Sequence, residues 1–467
     1  MRISKTIAAL SMVAVFATAT TSCGLYKKFD AADQNSQLVN EFAEASQAPV
    51  DSTALGNLPW QEVFTDPILV DIINQALTNN VDLKNAKLNI DVAHANMLGA
   101  RLSYLPSVVL APNGSGTTAS VPGSKMAWTY QIPLSVSWEI DIFGRLLNGK
   151  RSAEASYEMS KDYEQAVRSQ IIGGVANCYY AISALNGQLA LQRETAAIWA
   201  SSVQMMKDMW EAGHTTSAAV VQSQAQYESI LASITELETA LHEANNSLSL
   251  LVGVMPQTWE IPAAQSVMLP EQFNTGVPMV ALANRPDVRA QERSLAVAFY
   301  ATNSARAAFY PQLSISANGG FTNSLGSLIL SPGEWFINLA GQLTAPLFAR
   351  GQNIARLKAA KAQQQQSLNS FEHTIMKASA EVGSALVTYN NAISKEGHLK
   401  SQVEYMAQAV DITETLFRNS ATSYNTTYLE VLTAQQSLLG AQMNFINCQL
   451  ARSQAVINLY QSLGGGR

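Results

Sequence analysis

A stretch in the first third of the chain returns in the second half at a fixed spacing, and this repetition constrains the fold more than any other feature. Residues 76–83, ALTNNVDL, come back as 281–288, ALANRPDV. Pro106 returns as Pro311, and the triplet Phe143, Gly144, Arg145 as Phe348, Ala349, Arg350, all at one constant offset in numbering. Farther on, Val220 and Gln224 match Val431 and Gln435, and Val252 and Gly253 match Leu463 and Gly464, at a slightly larger offset. The second copy therefore gained a few residues in between. A repeat of this kind is one supersecondary unit built twice.

The unit contains a strand with two unlike faces. Residues 128–138 read WTYQIPLSVSW. Trp128, Tyr130, Ile132, Leu134, Val136 and Trp138 fall on one face, and Thr129, Gln131, Ser135 and Ser137 on the other. Ten steps of about 3.3 Å, tilted about 40°, project onto roughly 25 Å, the height of an outer-membrane apolar band. Tryptophan favours the membrane–water boundary because its ring is apolar and its N–H wants water. Alone, the stretch also fits a half-buried strand of a soluble sheet. The second half repeats the pattern in phase. Leu313, Ile315 and Ala317 alternate with Ser314, Ser316 and Asn318, and Trp335, Ile337, Leu339 and Leu343 with Asn338, Gln342 and Thr344. The offset that relates Pro106 to Pro311 places Trp335 on Tyr130.

Hairpins are expected at about 106–139 and 311–346, the first with a Gly/Ser/Thr-rich loop over 113–125. Four staves cannot close a barrel, and an open edge in lipid leaves backbone groups unpaired at several kcal/mol each. The chain must therefore pair with further copies of itself.

The rest reads as helix. No proline occurs from Leu134 to Met255, or from Leu347 to the end. Residues 145–210 predict one helix about 100 Å long. It breaks at 213–217, and a second helix runs to about Leu251 and closes at Gly253. The second copy breaks at 424–428. Ahead of the first hairpin a single helix is expected from residue 68 to about Arg101, ended by Pro106. The organisation is then a first repeat over 61–255, a proline-bearing linker over 256–278, and a second repeat over 279–467. The only continuous apolar run lies at the N-terminus, which excludes an internal transmembrane helix. A net charge of −6 gives no basic excess for nucleic acid.

Residues 1–22 have the form of an export signal: Arg2 and Lys5, then an apolar core over 7–17. Two cleavage readings stand. Ala17, Thr18 and Ala19 suit ordinary signal peptidase, while Thr21, Ser22, Cys23 and Gly24 suit a lipoprotein box with Cys23 lipidated. Residues 23–60 form a tail or strap. Cys178 and Cys448 lie in helical patterns, either as an exported disulfide or as small buried apolar residues. His94, His214, His242, His373 and His398 show no metal spacing, and no nucleophile sits in a recognised elbow. No cofactor and no enzymatic activity are expected.

These residues resemble the TolC-like outer-membrane efflux family, most closely its lipoprotein branch serving RND pumps. The shared positions are Trp60, Phe64, Asp66, Pro67, Leu69, Ala76, Leu77, Asp82 and Leu83. They continue with Tyr104-Leu105-Pro106, WEIDIFG at 138–144 and YLEVLTAQ at 428–435. The resemblance implies a mainly α chain with a β-barrel part. It implies a homotrimer with a twelve-stranded barrel continuous with a periplasmic helical tunnel, docked to a periplasmic adaptor and an inner-membrane RND transporter. It places the adaptor contact at the helix breaks, on Gly213, His214, Thr215, Tyr424, Asn425 and Thr426. It places a constriction just after the second break, at Leu429, Glu430 and Thr433. Leu429 matches a hydrophobic ring position and Glu430 an acidic one; Thr433 stands where many members carry Asp. Three copies of Glu430 would form an anionic ring that favours cations. Trp128, Trp138 and Trp335 would mark the membrane interfaces. Two other readings remain open: an exit duct for secreted proteins, and a periplasmic coiled-coil lipoprotein without a pore.

Overall fold

A computed structural model describes residues 24–46, 55–117, 123, 126–263, 279–324, 335–346, 348, 350–418 and 427–466. The expectations for the signal peptide, Cys23 and residues 424–426 lie outside these, as do the side chains of Trp128 and Trp335. The elements are, in order, α1 (Gln37–Ser46), α2 (Trp60–Val63), α3 (Pro67–Asn79), α4 (Val81–Leu102), β1 (Ser107–Leu110), β2 (Asn113–Thr117) and β3 (Ala127–Ile140). There follow α5 (Arg145–Glu211), α6 (Ser217–Val252), α7 (Met279–Ala283), α8 (Pro286–Ala307), β4 (Gln312–Ser324), β5 (Trp335–Thr344), α9 (Gln352–Arg418) and α10 (Tyr428–Ser462). No described helix is long and apolar enough to cross a membrane. The chain divides into two compact units, each drawing on both repeats.

The first unit comprises residues up to Ala43, Leu88–Lys161 and Arg289–His373. Its sheet runs β1–β3–β4–β5, with β2 also paired to β3. β1 and β2 keep one register along β3: Leu110 faces Leu134 and Asn113 faces Gln131. They form one stave interrupted at Ala111 and Pro112. The Gly/Ser/Thr composition predicts a loop over 113–125; residues 113–117 are strand, because pairing to β3 satisfies the backbone whatever the local propensity. β3 and β4 join the repeats in one unbroken ladder, from Thr129 opposite Ser324 to Ile140 opposite Leu313. Glycine is obligatory at Gly320, since a Cβ there would lie 2.2 Å from the Ile132 carbonyl oxygen. Val108, Leu110, Leu134, Trp138, Ile337, Leu339 and Leu343 are all exposed in the single chain.

The entry from β3 into α5 turns at Gly144, with φ +71°. Asp141 caps the helix by accepting from the Leu147 amide at 2.7 Å. The strap after Gly24 is tied here. The Asn148 side chain, fully buried, donates to the Leu25 carbonyl at 2.9 Å, and Arg151 donates to that of Tyr26 at 2.9 Å.

The ladder refines the repeat. β1 starts at Ser107 and β4 at Gln312, and α4 starts at Val81 and α8 at Pro286. Both pairs keep the offset that relates Pro106 to Pro311. Trp128 faces Gly116 and Trp335 faces Phe321, so Trp335 is the counterpart of Trp128, at an offset longer by two. The spacing-based match of Trp335 to Tyr130 is corrected accordingly. The same longer offset separates the starts of α5 at Arg145 and α9 at Gln352. α9 begins just behind Gly351 (φ +77°), as α5 begins just behind Gly144. Phe348 is thus not the structural mate of Phe143. Two of the added residues fall between Phe321 and Trp335, the counterparts of Gly116 and Trp128. The others fall in the helix break: residues 212–216 separate α5 from α6, whereas the longer stretch 419–427 separates α9 from α10.

The second unit comprises Glu44–Lys87, Asp162–Val288 and Thr374–Arg467. Its core includes Trp60, Phe64, Leu69, Ile73, Tyr179, Leu248 and Tyr460, each at most 1 % exposed. Each contributes about 1.5–3 kcal/mol by leaving water. Asp66 caps α3 by accepting from the Ile68 amide at 2.9 Å, and its other oxygen accepts from the Tyr179 hydroxyl at 2.5 Å. The single helix expected over 68–101 is two helices, parted at Asn80. That residue is extended (φ −55°, ψ 132°), caps α4 through the Leu83 amide at 3.0 Å, and donates to the Leu251 carbonyl at 2.8 Å. Cys178 and Cys448 are both free thiols.

Candidate gate at the helix breaks

The first break is built by α5 and α6. Gly213 (φ +76°) donates to the Trp210 carbonyl at 2.9 Å, and His214 donates to that of Met209 at 2.8 Å. This paired pattern ends the helix in a left-handed turn that glycine adopts freely. Thr216 then caps α6, its hydroxyl accepting from the Ala219 amide at 3.4 Å. Gly213 and His214 are exposed and Thr215 is partly so.

The second break differs. Thr427 is the cap residue of α10, as Thr216 is of α6, but its side chain makes no capping bond. The three residues after the cap are Ser217, Ala218 and Ala219 in the first repeat, and Tyr428, Leu429 and Glu430 in the second. At the breaks the two repeats differ in those side chains and in the length of the break.

Within α10 the side chains part into two faces. Tyr428, Val431 and Leu432 are buried against Trp199, Met206 and Ile230. The Tyr428 ring lies 5.1 Å from that of Phe417, and burial pushes its phenol above the usual value. Leu429, Glu430 and Thr433 lie on the opposite, exposed face, followed by Gln436, Ser437 and Gly440. Leu429 is 44 % exposed, unusual for a leucine one turn from a packed cluster. Glu430 sits in the first turn, where the helix dipole favours its charge. Thr433 donates its hydroxyl to the Leu429 carbonyl at 2.7 Å, so its polar group is already engaged. On the buried side, a groove of about 450 Å³ runs past Ser202, Glu414, Phe417, Tyr428, Val431 and Gln435. Gln435 donates to Glu414 across it at 3.0 Å.

The structure thus puts Leu429, Glu430 and Thr433 on one exposed strip. Trp138 belongs to the first unit, its indole N–H donating to the Tyr104 carbonyl at 2.8 Å. Two features escaped the sequence reading. Tyr428 is the anchor that orients the strip; its replacement of Ser217 in the other repeat was the available signal. The buried Arg285 was the other. It donates to Asp287, to Glu381 at 2.6 Å and to the Ser462 carbonyl at 3.1 Å. Among the described residues no three His, Cys, Asp or Glu side chains gather as a metal site would require.

Comparison with known proteins gives a consistent picture. The profile of the family described as outer membrane efflux protein matches residues 72–254 and 277–465. The cation efflux system protein CusC of Escherichia coli O6:H1 is 30 % identical over 420 residues, covering 88 % of each chain. The probable outer membrane lipoprotein SilC of Salmonella typhimurium is 29 % identical over 413 residues, covering 87 % of this chain and 88 % of its own. A crystal structure of CusC superposes with a TM-score of 0.80 at 26 % identity, over 90 % of this chain and 97 % of that one.

Proposed function

The chain belongs to the outer membrane efflux protein family, and from that membership we propose that three copies form the exit duct of a tripartite efflux system. It is an outer-membrane protein and not an enzyme. The observation that carries the duct is the four-stave sheet: apolar on one face, polar on the other, with β1–β2 and β5 at its two edges. In lipid those edges require partners, and other copies supply them. Twelve strands then enclose a polar lumen. The long helices α5 and α9 continue as the periplasmic tunnel, and a lipidated Cys23 anchors the strap.

A periplasmic adaptor meets the helix breaks at Gly213, His214, Thr215, Tyr424, Asn425 and Thr426, and couples the duct to an inner-membrane RND transporter. The strip of Leu429, Glu430 and Thr433 forms the constriction, held in register by Tyr428 on its buried side. Three Glu430 carboxylates ring the passage. Small molecules and ions are the cargo, and the anionic ring favours cations. Contacts that stabilise the open arrangement of the tips open the gate.

Deletion of the gene tests the pathway, by loss of tolerance to organic drugs or metal cations that the intact gene restores; unchanged tolerance to both classes counts against it. The combined Leu429→Ala, Glu430→Ala variant tests the gate. A larger single-channel conductance is expected in planar bilayers, and an unchanged one removes both residues from the constriction.

A further inference from the structure

The duplication fixes more than the need for a partner. Resting on the reading that copies of this chain complete one wall, we propose the register of the seam between them. β5 of one copy pairs antiparallel with β1 and β2 of the next, with Gln342 opposite Asn113, Ala340 opposite Ser115 and Thr344 opposite Ala111.

The template lies inside the chain. β3 is the returning strand of the first hairpin and β4 the leading strand of the second, and they pair continuously from Thr129 to Ile140. At the seam the returning strand of the second hairpin, β5, meets the leading strand of the first. It is the same junction one repeat farther round. The equivalences needed to transfer it are on the structure. Leading strands correspond as Ser107 to Gln312, the first residues of β1 and β4. Returning strands correspond as Trp128 to Trp335, which face Gly116 and Phe321. Ser135 faces Asn318 in the template; carried over by these equivalences the pair becomes Gln342 and Asn113. Pro133 with Gly320 becomes Ala340 with Ser115, and Ser137 with Ser316 becomes Thr344 with Ala111.

The parity of this register agrees with the free edges and with the side-chain faces, and the template selects it among registers of the same parity. The Ala111 amide donates to the Pro133 carbonyl at 3.2 Å, so odd-numbered residues of the first stave bond to β3 and even-numbered ones face the free edge. Following the ladder through β4, the odd-numbered residues of β5 face its free edge. The proposed register sets Gly341 against Gly114 and Leu339 against Gly116, free edge to free edge. The side-chain faces agree as well. Gln342 and Asn113 share the polar face, while Leu339 and Leu343 meet Gly116 and Pro112 on the apolar one, large against small.

Cysteine cross-linking reads the register. Opposed residues in a non-hydrogen-bonded pair have Cα atoms about 4.5 Å apart, within disulfide reach, and a two-residue slip moves them to about 8 Å, beyond it. The full-length protein, purified in detergent, is oxidised as three double variants: Gln342→Cys with Asn113→Cys, with Ala111→Cys, or with Ser115→Cys. The corresponding single variants, which keep the native cysteines, are the controls. Covalently linked copies on non-reducing gels are expected for the Asn113 pairing, at least tenfold above either slipped pairing. Preferential linkage through Ala111 or Ser115 overturns the register, as does an oligomer that none of the three pairings links. A protein that runs as a monomer before oxidation overturns the shared wall itself, and the register with it.

Discussion

The Asn80 side chain donates to the Leu251 carbonyl at 2.8 Å, and at the matching position of the second repeat Arg285 donates to the Ser462 carbonyl at 3.1 Å. Both tie the start of a 22-residue helix to the last turn of a helix that ends in a left-handed glycine, Gly253 or Gly464. Each glycine rests against the peptide just before its tie: a Cβ would lie 2.8 Å from the Asn79 carbonyl oxygen at Gly253, and 3.1 Å from that of Asn284 at Gly464. The joint was duplicated with its geometry and then given different side chains.

Gly253→Ala is therefore expected to destabilise the second unit. A left-handed alanine costs about 1–2 kcal/mol before the contact with Asn79 is counted. Gly464→Ala, with the looser contact, should cost less. Thermal unfolding of the purified variants checks the order; equal or absent shifts would remove the joint from the account of stability.

The Arg285 cluster predicts a pH dependence. Burial pushes the Asp287 carboxyl up, but the hydrogen bonds and charge of Arg285 outweigh it and hold the group below its ordinary 3.8. A depressed carboxylate contributes stability that is present above its ordinary pKa and is lost as pH falls through the folded value. The wild type should thus lose thermal stability as pH drops below 3.8. Asp287→Asn should be less stable near neutrality, by about 1 kcal/mol because the carboxylate is half exposed, and less sensitive to acid. Parallel melting curves across the acid range for the two proteins read the difference.

The strap predicts what lipidation does. Asn148 and Arg151 hold the backbone of Leu25 and Tyr26, close behind Cys23 in the chain. Cys23→Ser should abolish incorporation of labelled fatty acid while the protein still fractionates with the outer membrane, because the sheet remains. Label retained in the variant would place the lipid on another residue, and a wild type that takes up no label would move the cleavage site to follow Ala19.

Much of this architecture was legible in the sequence because it is periodic. The strand faces, the long proline-free helices and the glycine at 253 follow from spacing and from the needs of a left-handed turn. The parting of α3 from α4 was hidden because apolar spacing continues past Asn80; only the second copy, with Pro286 at the matching helix start, carried a mark. Residues 113–117 looked like loop because Gly and Ser predominate, yet β3 supplies the pairing that their side chains do not favour. The small shift in the second hairpin was masked by Phe348 and Arg350, which mimic Phe143 and Arg145 in spacing but not in place. At the candidate gate, the sequence pointed to Leu429 and Glu430 but not to Tyr428 as their anchor, because its burial against Trp199 joins side chains from opposite halves of the chain.

The central claim is that copies of this chain close a water-filled wall across a bilayer, and single-channel recording of the purified wild-type protein in planar membranes tests it most directly. Discrete, long-lived current steps, from protein that needs detergent to stay in solution, are the expected result. A detergent-independent monomer that gives no steps would contradict it.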